Sequence, residues 1–323
     1  MASTNNTTLT LQATTKINSD EGYAWCSLFV AEALFIITLN TLTMVVFLTK
    51  PTLRRRSTYL LMNLAATDIG IGAFVMPISI YRRGNAYKLW KVDMAYECFI
   101  SSYGIDLFFF GCSLLFLVSI SIERLHATTN PFRHRLISAS TYKKWIAGVW
   151  VASAIYTSFT VAVLHFNLLG LYMWYIVAGC VLVSILILCA SYVAIFFAVR
   201  CRKQPETSSR HARKERNLTV TLAIVTLFCM TVWLPYVLFT FLEIKLTKKF
   251  SEEALLRVRN VCEVLFFANS FVNPILYTIR MTDFKKAFTT LIGCNHFQSG
   301  IYNSTDEEHS EGMRCSQMTF NLR

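Results

Sequence analysis

The sequence predicts an all-α membrane protein, a seven-transmembrane helix bundle followed by a short amphipathic eighth helix. Three observations lead there. Only 15 % of the 323 residues are charged against 54 % hydrophobic, with a mean hydropathy of +0.45, where a soluble chain carries about 25 % charged residues. The apolar residues, 25 Phe among them, gather into long blocks. The 31 Lys and Arg lie mostly between those blocks, so the net charge of +12 points to the membrane surface rather than to nucleic acid.

Each block is then judged against the ~20 apolar residues that a helix needs to cross ~30 Å of hydrocarbon. Seven qualify, over residues 24–48, 57–81, 98–125, 142–164, 170–199, 216–242 and 258–280. An odd number of crossings puts the termini on opposite sides. One set of loops (50–56, 124–144, 200–216, 280–323) holds 21 Lys and Arg, and the other (1–23, 82–91, 245–259) holds 10. Positive charge stays with the cytosol, so the N-terminus is expected outside and the C-terminus inside. Residues 1–23 show no signal-peptide pattern, which leaves the first span as the expected insertion signal. The resulting division is an extracellular tail over 1–23, the helix bundle over 24–280, an amphipathic surface helix over 281–293 and a cytoplasmic disordered tail over 294–323.

Sequons at Asn5 and Asn6 fall in the outer tail, where glycosylation is expected. Those at Asn217 and Asn303 fall inside or in the membrane and are read as chance. After the seventh span, Phe284, Phe288, Leu291 and Ile292 share one helical face, as in a helix lying on the membrane surface among its lipids. Cys294 follows it, either an acylation site or an ordinary cytosolic thiol. The tail beyond mixes Ser and Thr with Asp306, Glu307, Glu308 and Glu311, a composition suited to phosphorylation.

Charges inside the spans carry the functional reading, since each costs ~2.5–3.5 kcal/mol or more at the bilayer centre. Glu32, Asp68, Asp106 and Glu263 stand out, with the pair Glu123-Arg124 at the inner end of the third span. Asp106 and Arg124 are five turns apart, ~27 Å along one face of the third helix, with Ser113 between them.

Taken in order, Asn40 in the first span, Leu64-Ala65-Ala66-Thr67-Asp68 in the second, Glu123-Arg124-Leu125 with Pro131 at the third, Trp150 in the fourth, Tyr192 in the fifth, Trp233-Leu234-Pro235 in the sixth and Asn273-Pro274-Ile275-Leu276-Tyr277 in the seventh resemble the rhodopsin-like (class A) G-protein-coupled receptors. The resemblance covers about residues 24–294. It implies an activation switch in which Arg124, beside Glu123 and opposite Glu215, latches the third and sixth helices. Pro235 would hinge the sixth helix, Trp233 would toggle beneath the ligand, and Pro274 would kink the seventh, while Tyr192 and Tyr277 swing toward Arg124. It further implies an allosteric sodium ion at Asp68, Ser113, Asn269, Ser270 and Asn273, a hard cation held by oxygens. A heterotrimeric G protein is the implied partner, with arrestin and a receptor kinase at the C-terminal tail.

The resemblance also bears on the ligand. Asp106 matches the carboxylate with which aminergic receptors pair a protonated amine, and Phe110, Trp233, Tyr236, Glu263 and Phe267 are the expected neighbours of a small extracellular cation. A second reading stands beside it, that Asp106 and Glu263 hold basic outer residues such as Arg82, Arg83 or Lys91. Ile176, Val177 and Cys180 replace catechol-binding hydroxyls, Phe267 replaces the usual tyrosine, and Ser184 takes the place of the fifth-span proline. The outer loop near 165–170 has no Cys to pair with Cys98. These last features resemble the melanocortin, lysophospholipid, cannabinoid and adenosine branch, although Ile78, Phe99 and Tyr103 stand where melanocortin receptors carry acids. Cys26 and Cys262 could pair across the first and seventh spans or remain buried thiols. Receptors of the same fold for a peptide, lipid or nucleoside, or a constitutively active or ligandless protein, stay open as alternatives.

Rival classes fit less well. A retinal protein needs a Lys in the seventh span, and residues 258–280 contain none. The two halves show no paired broken helices of a transporter. The six His are scattered without zinc-ligand spacing, so no enzyme is expected.

Overall fold

The computed structural model describes residues 18–53, 56, 58–90, 96–166, 168, 172–201, 231–243, 245–280 and 282–291. Among them every regular element is helical. We number the helices α1 (Ser19–Thr49), α2 (Thr58–Ala86), α3 (Tyr96–Thr129), α4 (Ala139–His165), α5 (Tyr172–Cys201), α6 (Thr231–Glu243), α7 (Glu252–Arg280) and α8 (Thr282–Leu291). Six of these are long and apolar enough to cross a membrane. The shorter α6 is the described part of the span predicted over 216–242.

Local sequence sets the helix starts. Asn18 caps α1 by accepting from the Asp20 amide at 3.0 Å, and Ser138 caps α4 by accepting from the Thr141 amide at 3.2 Å. Pro131 opens a short helix, Pro131–Leu136, between α3 and α4, a position where its missing N–H costs nothing. Inside α2, residues Ile71–Val75 form a π turn, one residue wider per turn than the α-helix around it.

Large apolar side chains such as Leu34, Phe35, Ile155, Phe159, Phe196 and Phe197 are exposed around the bundle. A band of that extent suits lipid rather than water. Within the bundle, Phe47, Leu60, Leu64, Phe116, Leu117 and Leu188 build one apolar core, and Phe29, Ile36, Ile71, Val75 and Met76 build a second between α1 and α2. Polar ties cross these cores where the backbone demands them. Pro274 lacks the N–H that would bond the Ser270 carbonyl one turn earlier, and the Asn40 side-chain amide donates to that carbonyl at 2.8 Å. Trp150 Nε1 donates to Asn63 Oδ1 at 3.0 Å, joining α4 to α2.

Helix α8 buries Phe284 against Phe47 and Tyr277, with ring centroids 5.2 and 6.1 Å apart. A groove of about 320 Å³ lies between α3 and α4, lined by residues including Gly104, Phe108, Ala154 and Thr157.

Candidate functional site

In the orientation predicted from the charge distribution, the outer end of α2 carries two consecutive arginines that point about 100° apart on the helix. Arg82 turns to α3, where its Nη2 donates to Asp106 Oδ2 at 2.5 Å and its Nη1 to Ser102 Oγ at 3.3 Å. Its guanidinium also lies 5.1 Å from the centroid of the Tyr103 ring. Arg83 turns the other way and is almost wholly buried. Its Nη2 pairs with Glu263 Oε2, its Nε donates to Asn260 Oδ1 at 2.7 Å, and its guanidinium covers the Phe29 ring at 3.4 Å. Of the two readings the sequence left open, the structure forms the arginine pairs. Lys91, the third cation considered, lies outside the described residues.

These pairs leave specific atoms unmatched. Asp106 Oδ1 and Arg83 Nη1 are buried and have no hydrogen-bond partner among the described residues. The side chains of Arg82, Asp106 and Glu263 nevertheless keep 25, 14 and 19 % exposure, so the cluster is reachable.

Beneath it lies a group of rings centred on Phe266, whose centroid is 4.6 Å from Phe110, 4.7 Å from Tyr236, 5.6 Å from Trp233 and 6.1 Å from Phe267. The structure therefore brings the predicted Phe110, Trp233 and Tyr236 together. Phe267 is buried and leans also on Phe29 of α1, 5.8 Å away, as part of the α1–α2 core. Sequence reasoning missed Phe266, although Glu263, Phe266 and Phe267 at spacings of 3 and 4 share one helical face.

The outer ends of α1, α2 and α7 are laced by a further network. Glu21 accepts from Arg257 at 2.8 and 2.9 Å and from the Tyr87 hydroxyl at 3.3 Å, and that hydroxyl accepts from Asn260 Nδ2 at 3.0 Å. Burial first, then the Glu21 carboxylate, pushes the Tyr87 hydroxyl up to about 12. Cys26 and Cys262 are both buried free thiols, so the bridge considered between them is not formed. Cys26 Sγ instead lies 3.9 Å from the Ile80 carbonyl of α2. Glu32, the remaining acid in α1, is buried with neither carboxylate oxygen paired among the described residues.

At mid-bundle, Asp68 accepts from Ser113 Oγ at 3.4 Å and from Asn273 Nδ2 at 3.3 Å, and Asn269 Oδ1 is buried without a partner among the described residues. Ser270 is buried beside them. The Asp68 carboxylate, the serine hydroxyls and the orphaned Asn269 amide oxygen are groups that fit a hard monovalent cation with water, although Asn273 turns its amide nitrogen to Asp68 here.

At the inner end, Arg124 and Glu123 pair at 2.5 Å, each side chain 1 % exposed. Glu123 Oε1 also meets the Tyr142 hydroxyl at 2.9 Å and His134 Nε2 at 2.7 Å. Those two partners come from α4 and the Pro131–Leu136 helix, and nothing local in the sequence ties them to Glu123. Tyr192 and Tyr277 are buried in the same core, and Pro235 is half-buried in α6. Glu215, Cys294, Asn5 and Asn6 lie outside the described residues.

A helical membrane bundle that carries a part-exposed charged cluster at its outer end and a buried arginine at its inner end has the build of a transmembrane receptor. The model of the 7 transmembrane receptor (rhodopsin family) matches residues 39–277, and the chain belongs to that family, the class A G-protein-coupled receptors, which are not enzymes. The chain is 26 % identical over 298 residues to trace amine-associated receptor 365 of Petromyzon marinus, covering 83 % of this chain and 78 % of the relative. It is 22 % identical over 296 residues to the QRFP-like peptide receptor of Branchiostoma floridae (79 and 73 %), and 25 % over 279 residues to adenosine receptor A2b of Gallus gallus (75 and 80 %). Relatives named for an amine, a peptide and a nucleoside at similar identity leave the ligand class to the site itself.

Proposed function

We propose that this protein sits in the plasma membrane with its N-terminus outside, binds a small organic ligand carrying a cationic group, and passes that event to a heterotrimeric G protein. The observation that carries the ligand reading is Asp106, whose Oδ1 is unpaired above the Phe266 ring cluster. An ammonium there would complete the carboxylate, while Phe110, Tyr236, Trp233 and Phe267 would surround an aromatic or aliphatic body and Glu263, already paired with Arg83, would line the site. A relative named as a trace amine-associated receptor supports the same chemistry.

Transmission rests on Arg124. Its pairing with Glu123 is one arrangement of a two-state element, and release of Arg124 would open the inner end to the G protein, a change that ligand and partner both bias. Glu215 would complete the latch from the sixth span. Asp68, Ser113, Asn269, Ser270 and Asn273 would hold a sodium ion that, when bound, supplies a positive charge beside Asp68. The tail after α8 would serve a receptor kinase and arrestin, Cys294 would carry an acyl chain into the lipid, and Asn5 and Asn6 would be glycosylated.

Expression of wild type and Asp106→Asn at matched surface level, screened with biogenic amines, peptides, nucleosides and lysolipids by second-messenger readout, tests the ligand reading. An amine agonist at least 10-fold weaker on Asp106→Asn is the expected result. An agonist equally potent on both removes the amine anchor.

A further inference from the structure

An amine is only half of what the outer cluster is built to meet. Asp106 does not stand alone, as a carboxylate waiting for a cation would. Arg82 already neutralises it through Oδ2, and Arg83 neutralises Glu263. The four charges sum to zero, so a simple monocation entering the site leaves an excess positive charge next to a guanidinium. Displacing Arg82 is resisted by three anchors, the Asp106 carboxylate at 2.5 Å, Ser102 Oγ at 3.3 Å and the Tyr103 ring. Arg82 is the more exposed of the two arginines, and its Nε has no acceptor among the described residues. The site thus offers an unfilled acceptor on Asp106 and an unfilled donor on Arg82, adjacent because the two side chains are bonded to each other.

We propose that the ligand is zwitterionic, with its ammonium on Asp106 Oδ1, its acid group on Arg82 and an aromatic body among Phe110, Tyr236 and Phe266. This deepens the reading of Asp106 as an ammonium anchor and rests on it. A carboxylate and an ammonium on one carbon atom match the spacing of an arginine–carboxylate pair, and the fork of the guanidinium suits a planar acid. The local charge stays at zero on binding, and both unmatched groups are satisfied at once. Carboxylate χ2 is soft enough to turn Oδ1 toward the ligand without moving the helix.

The test uses the full chain in cells with matched pairs of probes: phenethylamine and phenylalanine, tryptamine and tryptophan, histamine and histidine, with the methyl ester of each amino acid. On wild type, at least one amino acid is expected to be 10-fold or more stronger than both its amine and its ester. In Arg82→Gln that preference is expected to vanish or reverse, and the response of both is expected to fall in Asp106→Asn. The ester comparison needs no variant and stands even if Arg82→Gln fails to reach the surface. Amines that act through Asp106 with equal or greater potency than their amino acids, or a preference unchanged in Arg82→Gln, overturn the zwitterion while sparing the ammonium anchor. A panel with no Asp106-dependent response overturns both.

Discussion

Asn40 donates its side-chain amide to the Ser270 carbonyl at 2.8 Å, at the turn of α7 where Pro274 leaves that carbonyl without its helical donor. A residue in the first span thereby repairs a defect that a proline makes in the seventh, and it also reaches the Ile36 carbonyl at 2.9 Å. Replacing it leaves a buried acceptor unmatched, which costs about 1–3 kcal/mol. Asn40→Ala is expected to lower the apparent melting temperature of purified receptor, measured with a thiol-reactive dye or by loss of monodisperse protein on heating. An unchanged melting temperature contradicts the repair.

The buried pair between Arg83 and Glu263 invites a double-mutant cycle. Removing Glu263 strands the charge of Arg83, a side chain only 3 % exposed, and typically costs about 3–5 kcal/mol, whereas removing both is nearly neutral. Glu263→Leu alone is therefore expected to lose most surface expression, and Arg83→Leu with Glu263→Leu to recover much of it. Flow cytometry of tagged, unpermeabilised cells measures this, and a double variant no better than the single one counts against the pair.

At the inner end, Glu123 holds Arg124 and is itself held by Tyr142 and His134. Glu123→Gln is expected to raise basal signalling several-fold at matched expression. Tyr142→Phe removes one hydrogen bond to a charged group, worth about 1.5–3 kcal/mol, and is expected to raise it less. Glu215→Ala tests the second arm of the latch. Basal second-messenger levels that stay flat in all three remove the latch.

The sodium ion proposed at the mid-bundle oxygens is tested by ion replacement. Replacing external sodium by a large organic cation is expected to shift agonist potency several-fold in wild type and to have no effect in Asp68→Asn. A sodium response that survives Asp68→Asn places the ion elsewhere.

The spans were legible because crossing a bilayer demands long apolar windows, and the Lys and Arg of the loops stand out against them. The ring cluster was half legible. Phe110, Trp233 and Tyr236 were found through their motif neighbours, but choosing between Phe266 and Phe267 required the rotation of α7, which a run of adjacent aromatics does not reveal. Arg82 and Arg83 were visible as cations, yet their division between Asp106 and Glu263 depends on the turn of α2 above Ile71. Tyr142 and His134 escaped notice for a different reason. Their meeting with Glu123 is set by how α4 docks on α3, a long-range relation with no local periodicity to announce it.

The π turn at Ile71–Val75 makes the charge of the outer cluster a matter of residue count. It houses the equivalent of one inserted residue, so deletion of a residue within it would restore the α-helix and leave everything above in place, whereas deletion of one residue between Met76 and Tyr81, with the π turn kept, would turn everything above by about 100°. Arg83 would then inherit the place of Arg82 beside Asp106, and Gly84, with no side chain to offer, would face Glu263. Two acids would share one arginine, and the cluster would carry a net negative charge. A one-codon deletion above the π turn is thus a direct route from a neutral outer cluster to an acidic one, and under the zwitterion proposal such a variant is expected to favour plain amines over amino acids.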